Sequence, residues 1–254
     1  MSFRLNSCNY ALIVGAGHGI GFGLVHALLV KNSKTRIMAT YRKRENAEKL
    51  LSLQSEYKDR LEIIQIDATK ESEICNLSNS IKEKNIGLDL IINCIGMLHN
   101  DDILPEKSLK DFNCEAFIEV MRVNSIVTPL LAKHFEKQLN NDVTSVFATI
   151  SAKVGSIEDN RIGGWYSYRA SKAALNMLIK TIAIEFTRKR KKCVVLAVHP
   201  GTTKTELSQP FIKRTTYKIH ETHETASNIL NVIENRDSHD TGKFLSWDAQ
   251  ELPW

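Results

Sequence analysis

The stretch Tyr10–Gly21, with the sequence YALIVGAGHGIG, joins a short apolar run to four glycines at every second position. Glycines between a strand and a helix let the backbone approach a pyrophosphate closely, and the first amides of the helix attract its charge. A tight turn without a ligand is the alternative for this stretch taken alone. Because the turn follows an apolar strand and opens a helix, the sequence predicts a dinucleotide site that involves Gly15, His18, Gly19, Ile20 and Gly21.

Beyond this stretch, short apolar runs alternate with longer segments of helical period. The alternation predicts βαβ units, and runs that are apolar throughout indicate strands covered on both faces. The predicted strands are Tyr10–Val14, Arg36–Thr40, Leu61–Ile66, Leu88–Asn93, Val143–Ile150, Cys193–His199 and Lys243–Ser246. The predicted helices are Ile20–Lys31, Glu45–Glu56, Glu71–Glu83, Phe117–Gln138, Tyr166–Arg190 and His223–Asn235. We therefore expect a doubly wound, Rossmann-type α/β fold with about seven mostly parallel strands and helices on both faces, in a single domain over residues 1–254.

The composition of the 254-residue chain excludes several other classes of protein. With 43% hydrophobic and 25% charged residues, it is close to the average for globular proteins and unlike disordered, collagen-like or coiled-coil chains. The net charge of +5 comes from one cluster, Arg188–Lys192, at the end of a predicted helix, where cations suit the helix dipole. We therefore expect no nucleic-acid partner.

The cysteines and the apolar runs indicate the compartment. The five cysteines are dispersed and form no Cys-x-x-Cys pair, which favours a reducing compartment and argues against a disulfide framework or a metal site. A membrane span needs about 20 mostly apolar residues, and glycines and histidines interrupt the apolar run Tyr10–Val30. We expect a cytoplasmic protein that binds neither a membrane nor a metal.

The residues after the second predicted strand bear on the choice of cofactor. A site that prefers NAD usually places a carboxylate there for the adenosine ribose, but this chain has no acidic residue before Glu45 and presents Arg42, Lys43 and Arg44 instead. Cations suit the 2′-phosphate of NADP, and His18 offers a further donor. A solvated start to a helix is the alternative for Lys43 and Arg44. The sequence favours NADPH, with NAD as the alternative.

Tyr168 and Lys172 are four residues apart, so they share one face of the helix predicted over Tyr166–Arg190. A phenol with an ordinary pKa of about 10 is a poor acid–base catalyst at neutral pH. A neighbouring ammonium and an oxidised nicotinamide would lower that pKa. Taken alone, such a pair is more often two exposed helix residues. Its position downstream of the glycine turn indicates a catalytic pair.

The motifs, in this order, resemble those of the short-chain dehydrogenase/reductase family over nearly the whole chain. They are Gly15–Gly21, Asp67, Asn93–Gly96, Asn124, Tyr168-x-x-x-Lys172 and Pro200-Gly201-Thr202. Within the family, Gly163–Asn176 and the ending Leu252-Pro253-Trp254 resemble the C-factor-like branch, which is related to sniffer-type carbonyl reductases. The resemblance implies an NAD(P)-dependent enzyme that acts on CH–OH or C=O groups.

The resemblance also implies a role for each matching residue. Tyr168 would exchange a proton with the substrate oxygen, Lys172 would hold the nicotinamide ribose and lower the pKa of Tyr168, and Asn124 would bind a water of the proton relay. The remaining matches would contact the cofactor. Asp67, with Ala68 beside it, would meet the adenine amine, and Asn93 and Gly96 would line the cofactor at the end of the fourth strand. The nicotinamide carboxamide would be contacted by Pro200, Gly201 and Thr202.

The catalytic serine is the main departure from the family pattern. The family presents it as Ser-x-x-Gly after the fifth strand, but counting back from Gly155 gives Ala152. Ser151 lies one residue earlier and Ser156 follows the glycine. A shift of one residue along a strand turns the side chain to the opposite face. Ser151 can therefore be catalytic only if the chain loops there, and Ser151, Ser156 or no serine completes the set.

The predicted function is NADPH-dependent reduction of an aldehyde or ketone. The alternative is a dinucleotide-binding regulatory or signalling protein of the C-factor type with weak catalysis, which the displaced serine favours. Three segments are expected to wall the substrate pocket: Gly96–Asp111, Ser156–Trp165 and Thr202–Glu221. They do not identify the substrate. Relatives commonly pair through the helices that contain Asn124 and Tyr168, so we expect a homodimer or homotetramer.

Overall fold

The computed structural model describes residues 2–139, 142–212 and 218–254. Its centre is a seven-stranded sheet in the order β3-β2-β1-β4-β5-β6-β9, in which every neighbouring pair is parallel. A separate two-stranded parallel sheet joins β7 to β8. The strands are β1 Tyr10–Val14, β2 Arg36–Tyr41, β3 Leu61–Gln65, β4 Leu90–Asn93, β5 Ser145–Ile150, β6 Cys193–His199, β7 Thr202–Thr203, β8 Ile219–His220 and β9 Lys243–Ser246.

Seven α-helices within the described residues connect and cover these strands. They are α1 Gly19–Lys31, α2 Glu48–Glu56, α3 Glu71–Glu83, α4 Cys114–Met121, α5 Val127–Phe135, α6 Tyr166–Arg188 and α7 Thr222–Ile233. A π-helical segment, Arg122–Ile126, joins α4 to α5. Short 3₁₀ segments include Arg44–Asn46 before α2 and Lys153–Gly155 after β5.

Alternate residues of β1 enter two different hydrophobic clusters, one on each face of the sheet. Ala11 and Ile13 pack in a cluster that includes residues of α1 and α7. Leu12 and Val14 pack in a second cluster with residues of α3, α5 and α6. Burial on both faces explains why the strand is apolar throughout. The predicted doubly wound α/β fold is thereby confirmed.

The strand order reverses on either side of β1, which pairs with both β2 and β4. In open α/β sheets, the crevice at such a point, beyond the carboxyl ends of the strands, is where ligands bind. β1 ends at Val14 and β4 ends at Asn93, and the two residues are direct partners in the register. The glycine turn and the Asn93–Gly96 motif therefore open onto the same crevice.

The structure differs from the predicted elements chiefly where a helix changes its winding. The helix predicted over Phe117–Gln138 is divided by the π-helical segment. The helix predicted to reach Arg190 ends at Arg188, because Arg190 adopts a left-handed conformation with φ 56°. The strands β7 and β8 are too short to leave a periodic pattern in the sequence.

In the part of the chain that the structure describes, no helix has both the length and the apolar character needed to cross a bilayer. No group of three or more His, Cys, Asp or Glu side chains among residues 2–139, 142–212 and 218–254 could hold a metal ion. All five cysteines have free thiols.

Candidate active site

The glycine turn leaves a row of amides open at the start of α1. Gly15 and Gly19 have φ values of 80° and 57°, a region that L side chains rarely adopt. A Cβ at Gly21 would lie 2.2 Å from the Gly15 carbonyl oxygen, so only glycine lets the helix pack against the turn. The amides of residues 17–21 donate to no described residue, and α1 begins without a side-chain cap at His18. Such a terminus fits an anionic group.

A cavity of about 390 Å³ lies at the carboxyl end of β3. Its lining includes Arg42, Asp67 and Lys70. Burial acts to raise the pKa of Asp67, but hydrogen bonds from Thr69 and the charges of Arg42 and Lys70 outweigh it and lower that pKa. Arg42 is exposed and forms no ion pair with a described residue. Ala68, which follows Asp67, is buried.

Lys172, Asn124 and Gly96 converge at the centre of the crevice. A Cβ placed on Gly96 would lie 3.5 Å from the Lys172 Nζ and 3.7 Å from the Asn124 Oδ1. The Lys172 side chain is only 2% exposed, and its Nζ donates to the Ile150 carbonyl oxygen at 3.1 Å. The same Nζ lies 5.8 Å from the centre of the Tyr168 ring. The structure thus brings Gly96, Asn124 and the Tyr168–Lys172 pair together from three distant parts of the sequence.

Burial changes the acidity of both members of the Tyr168–Lys172 pair. It lowers the pKa of Lys172 from 10.5 to about 8, because the ammonium has left water without a carboxylate partner. It also raises the pKa of the Tyr168 phenol above its ordinary value. At neutral pH the pair therefore consists of a protonated phenol beside a lysine ammonium whose pKa, about 8, lies close to the pH.

The side chain of Asn124 is held by the protein itself. Its Oδ1 accepts from the Met97 amide at 2.7 Å, and its Nδ2 donates to the Met97 carbonyl and to the Ser171 Oγ at 2.8 and 2.9 Å. Both amide hydrogens are thereby used. π-helical turns are frequent at functional sites, and here the turn places Asn124 between the end of β4 and α6.

The structure shows the hydrogen-bond partners of Ser151 and Ser156, which the sequence left open. Ser151 donates its hydroxyl hydrogen to the Asn176 Oδ1 at 2.6 Å and is buried. The chain does not loop there, because Ala152 is extended with φ −149° and ψ 143°. Ser151 is therefore directed to the interior, and Ala152 occupies the opposite face. Ser156 donates to the Trp254 carbonyl at 3.2 Å. Neither serine forms a hydrogen bond with Tyr168.

Asn93 and the Pro200–Thr202 segment lie at the carboxyl ends of β4 and β6. Asn93 is buried, donates to Thr128 Oγ1 at 3.0 Å and accepts from the Ile95 amide at 3.0 Å, so its amide braces the end of β4. Gly201 has φ 76°, and a Cβ there would lie 2.9 Å from the Trp247 ring. A glycine is thus required at this turn.

The comparison with known proteins agrees with this geometry. The sequence matches the short chain dehydrogenase family over residues 9–215, most of the chain. The chain is a short-chain dehydrogenase. It belongs to an oxidoreductase family whose members bind a nicotinamide dinucleotide, which confirms the resemblance noted from the motifs.

Two solved structures and one sequence relative illustrate the similarity. The NADPH bound carbonyl reductase from chicken fatty liver superposes with a TM-score of 0.87 and 27% identity, over 99% of this chain and 95% of that chain. The carbonyl reductase Sniffer of D. melanogaster gives a TM-score of 0.84 and 25% identity over 97% and 100%. The C-signal protein of Myxococcus xanthus is 28% identical over 42% of this chain and 60% of its own length.

Three rings form a wall beside Tyr168 in this short-chain dehydrogenase, one from each segment expected to wall the pocket. The Trp165 ring lies 6.2 Å from the Tyr168 ring and 5.2 Å from the Phe211 ring, and the His99 ring lies 5.6 Å from Phe211. The His99 Nε2 also contacts the Leu207 carbonyl oxygen at 3.1 Å. The third segment, Thr202–Glu221, includes residues 213–217, which lie outside the described residues.

The three segments were predicted to wall the pocket, but their aromatic residues were not predicted as site residues. The aromatic character of these residues could have indicated the pocket, because aromatic side chains in loops after strand ends commonly line apolar pockets. Pairing between the segments depends on the tertiary fold and left no pattern along the chain.

Proposed function

We propose that this dehydrogenase reduces the carbonyl group of an apolar aldehyde or ketone with NADPH, and that Tyr168 donates the proton. The observation that carries the proposal is the convergence of the buried Lys172 with Tyr168, Asn124 and Gly96. The reduced nicotinamide supplies the hydride. The protein's part is to hold the substrate oxygen at the phenol and to make that phenol a sufficient acid.

Lys172 makes Tyr168 more acidic through its charge. Its Nζ lies 5.8 Å from the ring centre, and a cation at this range favours the phenolate over the phenol. This attraction opposes the burial that raises the pKa of Tyr168. With a pKa of about 8, Lys172 is still mostly charged at pH 7. In the proposed complex its Nζ also holds the ribose hydroxyls.

The preference for NADPH rests on the residues after β2. Arg42 is exposed at the rim of the cavity and free of ion pairs with described residues, whereas the first acidic side chain, Glu45, approaches Lys43 at 3.9 Å. The phosphate would contact Arg42, with His18 as a second donor. The open amides of residues 17–21 would hold the pyrophosphate. The similarity to an NADPH bound carbonyl reductase supports this choice, and NAD is the alternative.

The aromatic wall supports an apolar substrate. The Trp165 ring lies beside Tyr168, and Phe211 and then His99 extend this row of rings through edge-to-face contacts. Such surfaces bind planar or bulky apolar groups and disfavour small, strongly charged ones, because a charge there would lose its hydration. We therefore place ketones and diketones with aromatic or branched substituents ahead of short polar aldehydes.

The second candidate function is a binding role of the C-factor type, with weak or vestigial catalysis. The alanine at position 152 and the similarity to the C-signal protein favour it. The retained Tyr168–Lys172 pair favours an enzyme.

We also propose a homodimer or homotetramer. Helices α4 and α6 and the π-helical segment each have a buried face and also carry exposed apolar side chains. The exposed side chains are Ile118, Ile126, Met177 and Ile184. A second copy packed on these helices would cover them.

The test of the function is a screen of aldehydes, ketones and diketones by loss of NADPH absorbance, run beside Tyr168→Phe. The variant should lose at least about 100-fold in kcat, because the proton donor is removed, and should bind NADPH as the wild type does. A wild type that binds NADPH but consumes none of it with any carbonyl would favour the binding role. Retained turnover in Tyr168→Phe would remove Tyr168 from the mechanism.

A further inference from the structure

Glu106 is a buried carboxylate that the proposed chemistry does not use. It lies between β4 and α4 and is only 5% exposed. Both carboxylate oxygens lie 3.2 Å from the Ser167 amide nitrogen, and one also accepts from the Ser167 hydroxyl. The Glu106 carbonyl oxygen accepts from the Trp165 amide at 2.6 Å. Glu106 thus makes four contacts to two residues at the start of α6.

Helix α6 lacks a cap of its own. It begins at Tyr166, and the preceding Trp165 is left-handed, with φ 53° and ψ 46°, and makes no side-chain cap hydrogen bond. The first amides of a helix need acceptors, and a negative charge there is stabilised by the helix dipole. Glu106 provides both from a residue about 60 positions earlier in the chain. This pairing explains how its carboxylate can be buried.

The residues that Glu106 holds belong to the site. Ser167 directly precedes Tyr168, and Trp165 carries the ring that faces both Tyr168 and Phe211. The loop that carries Glu106 also carries His99, which contacts Phe211 from the other side. One carboxylate therefore fastens the substrate wall to the helix that presents the phenol.

We propose that Glu106 is a positioning residue, which sets the placement of Tyr168 and Trp165 relative to the loop around His99. The proposal rests on the reductase function proposed above. A positioning role differs from that of an ordinary helix cap, because removing an ordinary cap would lower the stability of the protein and leave its catalytic rate unchanged.

The variants Glu106→Ala and Glu106→Gln test the proposal, with Asn113→Ala as the matched control. Asn113 is exposed and caps α4, where its side chain accepts from the Ala116 amide at 2.9 Å, so the control also removes one helix cap. Glutamine keeps the length of Glu106, an oxygen for the Ser167 amide and a donor for the Ser167 hydroxyl, and serves as the conservative replacement.

We expect Glu106→Ala to lower kcat/KM for the carbonyl at least about tenfold, with a raised KM, because a small misplacement of the proton donor and wall is costly in rate. NADPH binding should stay within about twofold, since the glycine turn and Arg42 do not contact Glu106. Glu106→Gln should recover most of the loss. Asn113→Ala should leave kcat/KM within about twofold at a comparable loss of thermal stability.

Hydrogen exchange at the Ser167 amide provides a readout that does not depend on activity. It should accelerate in Glu106→Ala and stay unchanged in Asn113→Ala, whether or not the wild type reduces any carbonyl in the screen. Failure of the screen alone would therefore refute the proposed function and leave the Glu106 contact to be judged by exchange. Folded Glu106→Ala with wild-type kcat/KM, or an equal loss in Asn113→Ala, would overturn the positioning role.

Discussion

Replacing Lys172 by methionine is expected to stabilise the folded protein while it removes the activity. Folding lowers the pKa of Lys172 from 10.5 to about 8 by burial. The folded protein therefore binds this proton more weakly than the unfolded chain does, and the charged lysine opposes folding at pH 7 by about 3 kcal/mol. Methionine is of similar length and carries no charge.

The variant also loses a favourable contact. The Ile150 carbonyl oxygen would lack the donor that Lys172 provides at 3.1 Å, at a loss of about 1 kcal/mol. The net gain at pH 7 is then about 2 kcal/mol, which raises Tm by about 4–8 °C in a domain of this size. When folding lowers the pKa of a base, its charged form destabilises the folded protein by the full amount at pH values below the pKa of the folded state. This destabilisation decreases as the pH rises towards the pKa of the unfolded chain. By pH 10 the gain should have fallen to about zero.

Urea unfolding of both proteins at pH 7 and pH 10, without cofactor, measures this difference. Lys180→Met is the control, because Lys180 is an exposed lysine of the same helix and its removal should not raise stability at either pH. Carbonyl reduction by Lys172→Met should fall at least about 100-fold, since Tyr168 loses the cation that acidifies it. A Lys172→Met protein less stable than wild type at pH 7, or a difference that is the same at both pH values, would refute the reasoning.

Three further outcomes are expected. Arg42→Glu should weaken NADPH binding at least about tenfold more than NADH binding, as measured by fluorescence titration, because the phosphate loses a cation and meets an anion; equal losses would remove the phosphate contact. Ala152→Ser should raise kcat about 10-fold or more if the added hydroxyl donates to the developing oxyanion, and an unchanged kcat would show that the site works without it. Sedimentation at micromolar concentration should show a species larger than the 28.7 kDa monomer, and a monomer alone would contradict the proposed assembly.

The sheet and most helices could be predicted because their signals are local. The strands β1, β6 and β9 and the helix α3 have the bounds that the sequence predicts, since each is a continuous apolar or helical run between clear breaks. The long helix after β4 was predicted without its π-helical segment. Within that segment Asn124 contacts Met97 and Ser171, and no periodicity along the helix indicates such contacts.

Some features of the candidate site are likewise predicted by the sequence, and others depend on the tertiary structure. The spacing of Tyr168 and Lys172, the glycines after β1 and the cations after β2 are patterns of neighbouring residues. These patterns alone predict a nucleotide crevice with an acid–base pair beside it. Which way Ser151 faces, how deeply Lys172 is buried and which carboxylate caps α6 follow from residues that meet only after the chain has folded. Tertiary packing decides them because side-chain direction and desolvation depend on neighbours distant in sequence.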